Sequence, residues 1–315
     1  MRTSKAEQGS LRVALTGATG FVGQSTLTGL LAAGHSVRAL LRSGKALPEH
    51  DRLQAIQGDL ADRQALEALL DGCDAVIHVA GSIAGRNYLD FAAVNVAGTR
   101  RLIEATRSAD RPMRLIHVSS LAATRPQLSD YAASKRAGEE LVTGSGTEWT
   151  IVRPPAVYGP ADPALAPFWK LLARGWLLRL GPRQARFSLL HVEDLAALLV
   201  TLPTDRSSID SVLEPDDGLE GGYDWPRVAE IAADRRGGRV RIIPVPRAAL
   251  AMTAALVRAG SRLTGSAPVL NRGKVRELRH PRWLCDNTAL KDYPWWRPLH
   301  KLESALATLP GWRNP

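Results

Sequence analysis

Tyr131 and Lys135 stand four residues apart in the run Tyr131-Ala132-Ala133-Ser134-Lys135. On a helix, that spacing puts both side chains on one face. A phenol with its ordinary pKa of about 10 is a poor base near neutrality. An adjacent ammonium favours the phenolate and is expected to lower that value. The pair therefore suits the transfer of one proton to or from an alcohol or carbonyl oxygen. Upstream, the apolar run Ile116-His117-Val118 ends in Ser119-Ser120. A hydroxyl there is suited to hydrogen-bond a substrate oxygen and stabilise charge as it develops.

A hydride carrier has its own signature in the chain. Thr16-Gly17-Ala18-Thr19-Gly20-Phe21-Val22-Gly23 spaces three glycines as G-x-x-G-x-x-G between an apolar strand and a helical segment. Gly17 permits the tight turn, Gly20 lets backbone N–H groups approach a pyrophosphate, and Gly23 allows close helix–strand packing. The helix start at Phe21 and Val22 adds partial positive charge for the phosphates. Gly17, Thr19, Gly20, Phe21, Val22 and Gly23 are thus expected to hold a dinucleotide. Sites that prefer NAD place an acidic residue about 20 positions further on, at the end of the second strand. Residues 35–46 contain no Asp or Glu, and Arg42 stands at that place, followed by Ser43 and Lys45. A guanidinium grips a 2′-phosphate, so NADP is expected, with NAD as the alternative. The plainer reading of Arg42 is one more surface arginine.

The elements that must position these groups follow from hydrophobic periodicity. Strands are expected at 11–15, 36–41, 53–57, 74–80, 114–119 and 149–153. Helices are expected at 21–33, 62–70, 91–107 and 131–143, with Asp62 as a cap and Gly34 as a stop. Strands alternating with helices predict an α/β fold, a Rossmann-type doubly wound parallel sheet. Beyond residue 155 Pro and Gly become frequent, and helices at 164–174, 192–202 and 247–262 lie among irregular segments. The expected organisation is a tail at 1–10, a dinucleotide domain at 11–155, and a smaller irregular C-terminal substrate lobe at 156–315 that returns elements to the core.

Composition excludes several classes. The chain has 315 residues, 45% hydrophobic and 23% charged, with 41 Lys+Arg against 31 Asp+Glu. It is too apolar for a disordered chain, and Cys73 and Cys285 alone make no disulfide scaffold. No apolar run approaches the ~18–20 residues of a membrane span. The first ten residues are polar, so a cytoplasmic protein is expected. The +10 charge is local: residues 225–315 hold 17 basic and 6 acidic side chains. No nucleic-acid module accompanies it. No metal-ligand spacing is seen, and His78, His117 and His191 read as core histidines. Trp295 and Trp296 read as packing residues.

The chain resembles the extended, or closely related atypical, short-chain dehydrogenases/reductases, which include nucleotide-sugar epimerases and 3β-hydroxysteroid dehydrogenases. Besides the Gly loop and Tyr-x-x-x-Lys, the resemblance rests on Gly58-Asp59-Leu60, His78-Val79-Ala80-Gly81 and Asn95-Val96-Ala97-Gly98-Thr99. It continues through Val118-Ser119-Ser120, Arg153-Pro154-Pro155-Ala156-Val157-Tyr158-Gly159-Pro160 and His191-Val192-Glu193-Asp194-Leu195, with a looser match at 294–298. The resemblance implies a triad of Ser120, Tyr131 and Lys135, with Ser119 as the alternative hydroxyl and a further cofactor-side residue. It implies that Lys135 also holds the nicotinamide ribose and that Asp59 and Leu60 border the adenine. Ala80 and Gly81 would line the nucleotide cleft, and Asn95 would set a helix beside the site. Pro154, Pro155, Ala156 and Val157 would pack near the nicotinamide. Asp59 also reads as a helix cap. Leu121 and Ala122 stand where the sugar dehydratases carry an acidic pair, so dehydration is not expected.

The expected function is an NADP-dependent oxidoreductase that interconverts a secondary alcohol and a carbonyl on a small molecule, with Tyr131 as acid/base. One alternative is a nucleotide-sugar epimerase with tightly bound dinucleotide. Another is a non-catalytic NAD(P)-binding sensor or assembly factor, against which the retained Ser, Tyr and Lys argue. Phe168, Trp169, Trp176 and Phe187 suggest an apolar substrate region, and Arg179, Arg183 and Arg186 an anionic group. Relatives often dimerise through the helices near 91–107 and 131–143, so a homodimer is expected.

Overall fold

The computed structural model describes residues 9–264 and 267–312, so most of the expected N-terminal tail lies outside the described residues. The first half alternates strand and helix as β1 (Arg12–Thr16), α1 (Phe21–Ala32), β2 (Ser36–Leu41), β3 (Leu53–Gln57), α2 (Arg63–Leu70) and β4 (Ala75–His78). It continues through α3 (Tyr88–Ala92), α4 (Thr99–Arg107), β5 (Arg114–Val118), α5 (Asp130–Thr143) and β6 (Trp149–Val152). The second half holds β7 (Ala156–Tyr158), α6 (Ala166–Ala173), β8 (Trp176–Arg179), β9 (Arg186–Phe187), β10 (Leu189–His191), α7 (Val192–Thr201) and β11 (Ser211–Leu213). It ends with α8 (Trp225–Arg236), β12 (Arg241–Pro244), α9 (Arg247–Thr264), α10 (Arg272–Leu278), β13 (Arg282–Trp283) and α11 (Leu302–Ala305).

Seven strands form one parallel sheet in the order β11-β6-β5-β4-β1-β2-β3. Alternation along β1 sets its two faces. Val13 and Leu15 pack with Leu27 and Leu30 of α1 and Leu195, Leu198 and Leu199 of α7. Ala14, between them, packs on the other face with Leu66 and Leu69 of α2, Leu102 of α4 and Val142 of α5. Each such leucine, fully buried, stabilises the fold by about 1.5–3 kcal/mol. Strand order reverses between β1 and β4, which opens a crevice at their carboxyl ends. All seven strands run the same way, so Gly17, Arg42, Ala80, Ser119 and Arg153 fall at one edge.

Three details depart from the sequence expectations. The expected helix at 91–107 starts earlier, at Tyr88 with Asn87 as its cap, and contains a π turn at Ala93–Gly98. Such turns arise where a helix admits an extra residue, often beside a site. The seventh strand, β11, lies beyond residue 155 and pairs with β6, an edge partner too short to stand out in sequence. Helix α8 lies in a stretch that the sequence reading leaves irregular, although Asp224 caps it and Gly237 ends it at φ 65°.

The later residues build a third core of Tyr158, Trp169, Leu172, Leu177, Tyr223, Val228 and Leu302. Phe168 and Phe187 pack against this core, and Trp169 is buried in it. Trp169 is thus a core residue of the lobe, while Phe168 and Phe187 are half-buried at its margin. Trp176 carries the Arg241 guanidinium over its ring at 5.6 Å. Arg186 pairs with Asp224 at 3.1 Å.

Candidate active site

The Gly loop has a fixed shape. Gly17 sits at φ 77°, and a Cβ there would come 2.7 Å from the Ala80 backbone nitrogen. A Cβ on Gly23 would come 2.0 Å from the Gly17 carbonyl oxygen, so only glycine fits this helix–strand contact. At Gly20 a Cβ would meet nothing closer than that same carbonyl oxygen, at 3.3 Å. Helices α2, α5 and α8 begin with side-chain caps from Asp62, Ser129 and Asp224. Helix α1 begins at Gly20 with no side-chain cap and no acidic residue in its first turn. Its first N–H groups therefore face the crevice with their partial positive charge intact. Thr19, Phe21 and Val22 flank that start and are half-buried. This cradle fits the diphosphate of a dinucleotide.

Other cofactor-side residues take distinct positions. Arg42 is exposed at the end of β2 and forms no ion pair among the described residues. Asp59 is exposed and accepts from the Ala61 N–H at 2.7 Å, while Asp62 is the cap of α2. Leu60 packs where a Cβ on Gly98 would stand, 2.7 Å from its Cδ1. Ala80 donates its N–H to Thr16 Oγ1 at 3.2 Å, and Gly81 follows it, exposed. Asn95 is buried, and its amide joins Ser82 to Ser134 of α5: Oδ1 accepts from the Ser82 N–H at 2.8 Å, and Nδ2 donates to Ser134 Oγ at 2.9 Å. Asn95 thus braces the loop at 82–90 against the helix of Tyr131. Pro154 accepts from the Leu121 N–H at 2.9 Å, which ties the segment Pro155, Ala156 and Val157 to the turn after Ser120.

The two serines part company because successive residues point to opposite sides of an extended chain. The Ser119 hydroxyl is buried and donates to Glu139 Oε1 at 2.5 Å. Glu139 is gripped on its far side by Arg153, with contacts of 2.8 and 2.7 Å, and Arg153 also reaches Glu214 at 3.2 Å. Ser120 is half-buried, accepts from the Ala122 N–H at 3.2 Å, and lies close enough to the Tyr131 phenol to pull its pKa down. Ser120 and Tyr131 are the pair that the fold brings together, and Ser119 belongs to the buried charge network.

Tyr131, Lys135 and Glu139 form a column along α5, four residues apart each time. Burial pushes the Tyr131 phenol up to about 12, the Ser120 hydrogen bond opposes that shift, and Glu277 adds to it. The lowered value expected from the Lys135 neighbour is therefore not found. The Lys135 ammonium is committed to the Val118 carbonyl at 2.8 Å. Burial brings its own pKa down to about 8, against the pull of Glu139. The edge of the Phe91 ring meets Tyr131 at 6.0 Å between centroids.

Residues from the far end of the chain complete the surroundings. Ser129 caps α5 by accepting from the Ala132 N–H at 2.9 Å, and its hydroxyl donates to the buried Glu277 of α10. Lys274 holds the other Glu277 oxygen at 2.9 Å. The Ser129-Asp130 start signals a cap in sequence; Glu277, 148 positions away, carries no such signal. His78 is satisfied by Thr16 Oγ1 at 2.7 Å and Thr99 Oγ1 at 3.0 Å, and burial lowers its pKa to about 3. His117 is buried with no hydrogen-bond partner among the described residues. His191 is buried and stacks on His300 at 4.4 Å. Those two and Glu193 bring ligand-type atoms within 4.8 Å of one another. Trp296 is buried in the first core and donates to the Asp194 carbonyl at 3.0 Å.

Comparison with known proteins agrees with this architecture. A model of the NAD dependent epimerase/dehydratase family matches residues 13–212. The chain is 40% identical over 273 residues to a protein named ceramide reductase from Caulobacter vibrioides, covering 86% of this chain and 85% of that one. It is 35% identical over 179 residues to a farnesyl-dihydroquinoline-oxide ketoreductase from Stigmatella aurantiaca, spanning 50% of this chain and 53% of that one. Its fold is similar to that of the Bordetella bronchiseptica enzyme WbmH, solved with NAD+, with a TM-score of 0.71, 18% identity and coverage of 96% and 98%. The chain belongs to the NAD dependent epimerase/dehydratase family and is an NAD(P)-dependent oxidoreductase of the extended short-chain dehydrogenase/reductase type.

Proposed function

We propose that the protein reduces a carbonyl on an apolar, acyl-chain substrate of the ceramide class to a secondary alcohol, with NADPH. The observation that carries this reading is the placement of the Ser120 hydroxyl beside the Tyr131 phenol, at the strand edge that also holds the uncapped start of α1. The bound cofactor supplies the hydride. Gly17 to Gly23 hold its diphosphate through backbone N–H groups, and Arg42 receives the 2′-phosphate. Ser120 holds the substrate oxygen. Tyr131, kept protonated by burial, donates the phenolic proton to that oxygen as negative charge develops on it. A phenol so held is protonated at neutral pH, the form that donates to a carbonyl oxygen. In this reading Lys135, with a pKa brought down to about 8, leaves the Val118 carbonyl to hold the ribose and returns a proton toward the phenolate.

The substrate class rests on the relative named for ceramide and on the exposed apolar residues Ile83 and Leu89, in the segment that leads to Phe91 and its contact with Tyr131. The division near residue 155, the cytoplasmic setting and a homodimer belong to this reading. The outward residues of α4, namely Arg100, Arg101, Glu104 and Arg107, would make any dimer face there polar. The test is NADPH consumption with a panel of carbonyl compounds that includes long-chain ketolipids, sugar nucleotides and small water-soluble ketones. Turnover that rises with acyl content is expected. Tightly held NAD with no net redox, on a sugar nucleotide, would overturn the proposal in favour of epimerisation.

A further inference from the structure

Helix α9 packs by one stripe only. Leu250, Ala254 and Ser261 are buried, the first two against Val275 of α10 with Leu180, Val245 and Leu270 around them. At ~100° per residue, Ala248, Met252, Ala255, Leu256 and Ala259 fall on the opposite pole. All five are exposed, Met252 by 64% and Leu256 by 67%. The helix has no acidic residue, and Arg247 and Arg258, both exposed, lie on one side of it, between the buried stripe and the apolar pole. The exposed apolar surface continues at Val269, between α9 and α10, and at Ile83 and Leu89. Those last two lie beside it because the Gly85 N–H donates to the Pro268 carbonyl at 3.2 Å and Asn271 Nδ2 donates to the Gly85 carbonyl at 3.1 Å. The following segment, 272–282, adds Arg272, Lys274, Arg276, Arg279 and Arg282 against one acid, Glu277, which is buried.

An apolar pole with a cationic flank and no anions is the pattern of a helix that lies in a membrane interface. Among the described residues no helix is long and apolar enough to cross a membrane, so α9 can lie on a bilayer but not span it. The positive charge selects an anionic surface. We propose that α9, with Val269 and the 82–90 loop beside it, is the face by which this protein docks on an anionic phospholipid bilayer. Met252 and Leu256 enter the acyl boundary, and the arginines meet the phosphate headgroups. The loop that carries Ile83 and Leu89 leads to Phe91 and Tyr131, so docking would set the candidate site against the source of an apolar substrate.

The test is co-sedimentation of the full chain with vesicles of phosphatidylethanolamine and phosphatidylglycerol, beside vesicles of phosphatidylcholine alone. Binding to the anionic vesicles that weakens with salt is expected. Met252→Ser/Leu256→Ser, substituted where the side chains touch solvent, should weaken binding by about tenfold or more. Arg258→Gln should weaken it less, and only at low salt. Leu299→Ser, an exposed leucine tied to Asp194 of α7 and outside the α9 cluster, should bind as the wild type does. Tyr131→Phe should also bind unchanged, so failure of the reductase reading leaves this result standing. A wild type that ignores anionic vesicles would overturn the proposal. So would a double variant that binds equally well, or a wild-type dimer that the double variant turns into a monomer, which would give the face to a second copy.

Discussion

The Ser129 hydroxyl that caps the helix of Tyr131 also donates to Glu277, a buried carboxylate of α10. A residue near the far end of the chain thereby fixes the start of the helix on which the candidate proton donor sits, and its charge raises the phenol's pKa. Replacing Glu277 by Gln keeps a side chain of the same shape and removes that charge. The Tyr131 pKa should fall. Reduction needs the protonated phenol, so the alkaline limb of the rate profile should move to lower pH. Ser129→Ala removes the cap and strands Glu277, and should cost about 1–3 kcal/mol of stability. Rate against pH and urea unfolding read the two effects separately. An alkaline limb unmoved in Glu277→Gln would refute the electrostatic link.

The adjacent serines separate a chemical role from a structural one. Ser120→Ala should lower kcat by about 10²- to 10³-fold, because its hydroxyl lies beside Tyr131, and should cost no more than about 1 kcal/mol for the lost bond from the Ala122 N–H. Ser119→Ala should leave kcat within a few-fold and cost about 1–3 kcal/mol, since it takes a donor from buried Glu139. The reverse pattern would transfer the role to Ser119. Tyr131→Phe should abolish turnover while cofactor affinity holds.

Helix α5 shows where sequence is informative and where it is not. Tyr131 and Lys135 are legible because helical periodicity alone places them together, and the Gly loop because its chemistry is local. The choice between Ser119 and Ser120 is not local: it depends on Glu139 and Arg153, which the fold brings to one side of β5. The lobe aromatics Phe168, Trp169 and Phe187 look the same in sequence whether they form a core or line a pocket; the packing of the lobe buries Trp169 and leaves Phe168 and Phe187 half-buried against it. The Tyr131 pKa follows the same lesson. Spacing gives a neighbouring ammonium, but burial is the larger effect.

Arg42, exposed at the end of β2, is the proposed reader of the 2′-phosphate. Charge-assisted hydrogen bonds contribute about 1.5–3 kcal/mol, so Arg42→Ala should weaken NADP binding by about 10- to 150-fold. NAD binding should change little. Titration of each cofactor by fluorescence or calorimetry checks this, and equal weakening of both would contradict the role.

Stability should also fall with acid, and two buried histidines explain why. The ordinary histidine pKa is about 6.5. In the fold His78 is lowered to about 3 by burial, and His117 is lowered by burial with Lys135 beside it. Above pH 6.5 both are neutral in the folded and unfolded chains, and stability does not depend on them. As pH falls below 6.5, the unfolded chain takes up protons that the folded chain refuses, so stability is lost toward the folded pKa values. His117 has no hydrogen-bond partner to lose, so His117→Leu removes one of those protons without stranding a polar group. In urea unfolding followed from pH 7 to about pH 4, the loss of stability per pH unit in His117→Leu should be shallower than in the wild type by up to about 1.4 kcal/mol. At neutral pH the variant should be as stable as the wild type or more so. An unchanged slope would mean that His117 meets water in solution and titrates normally.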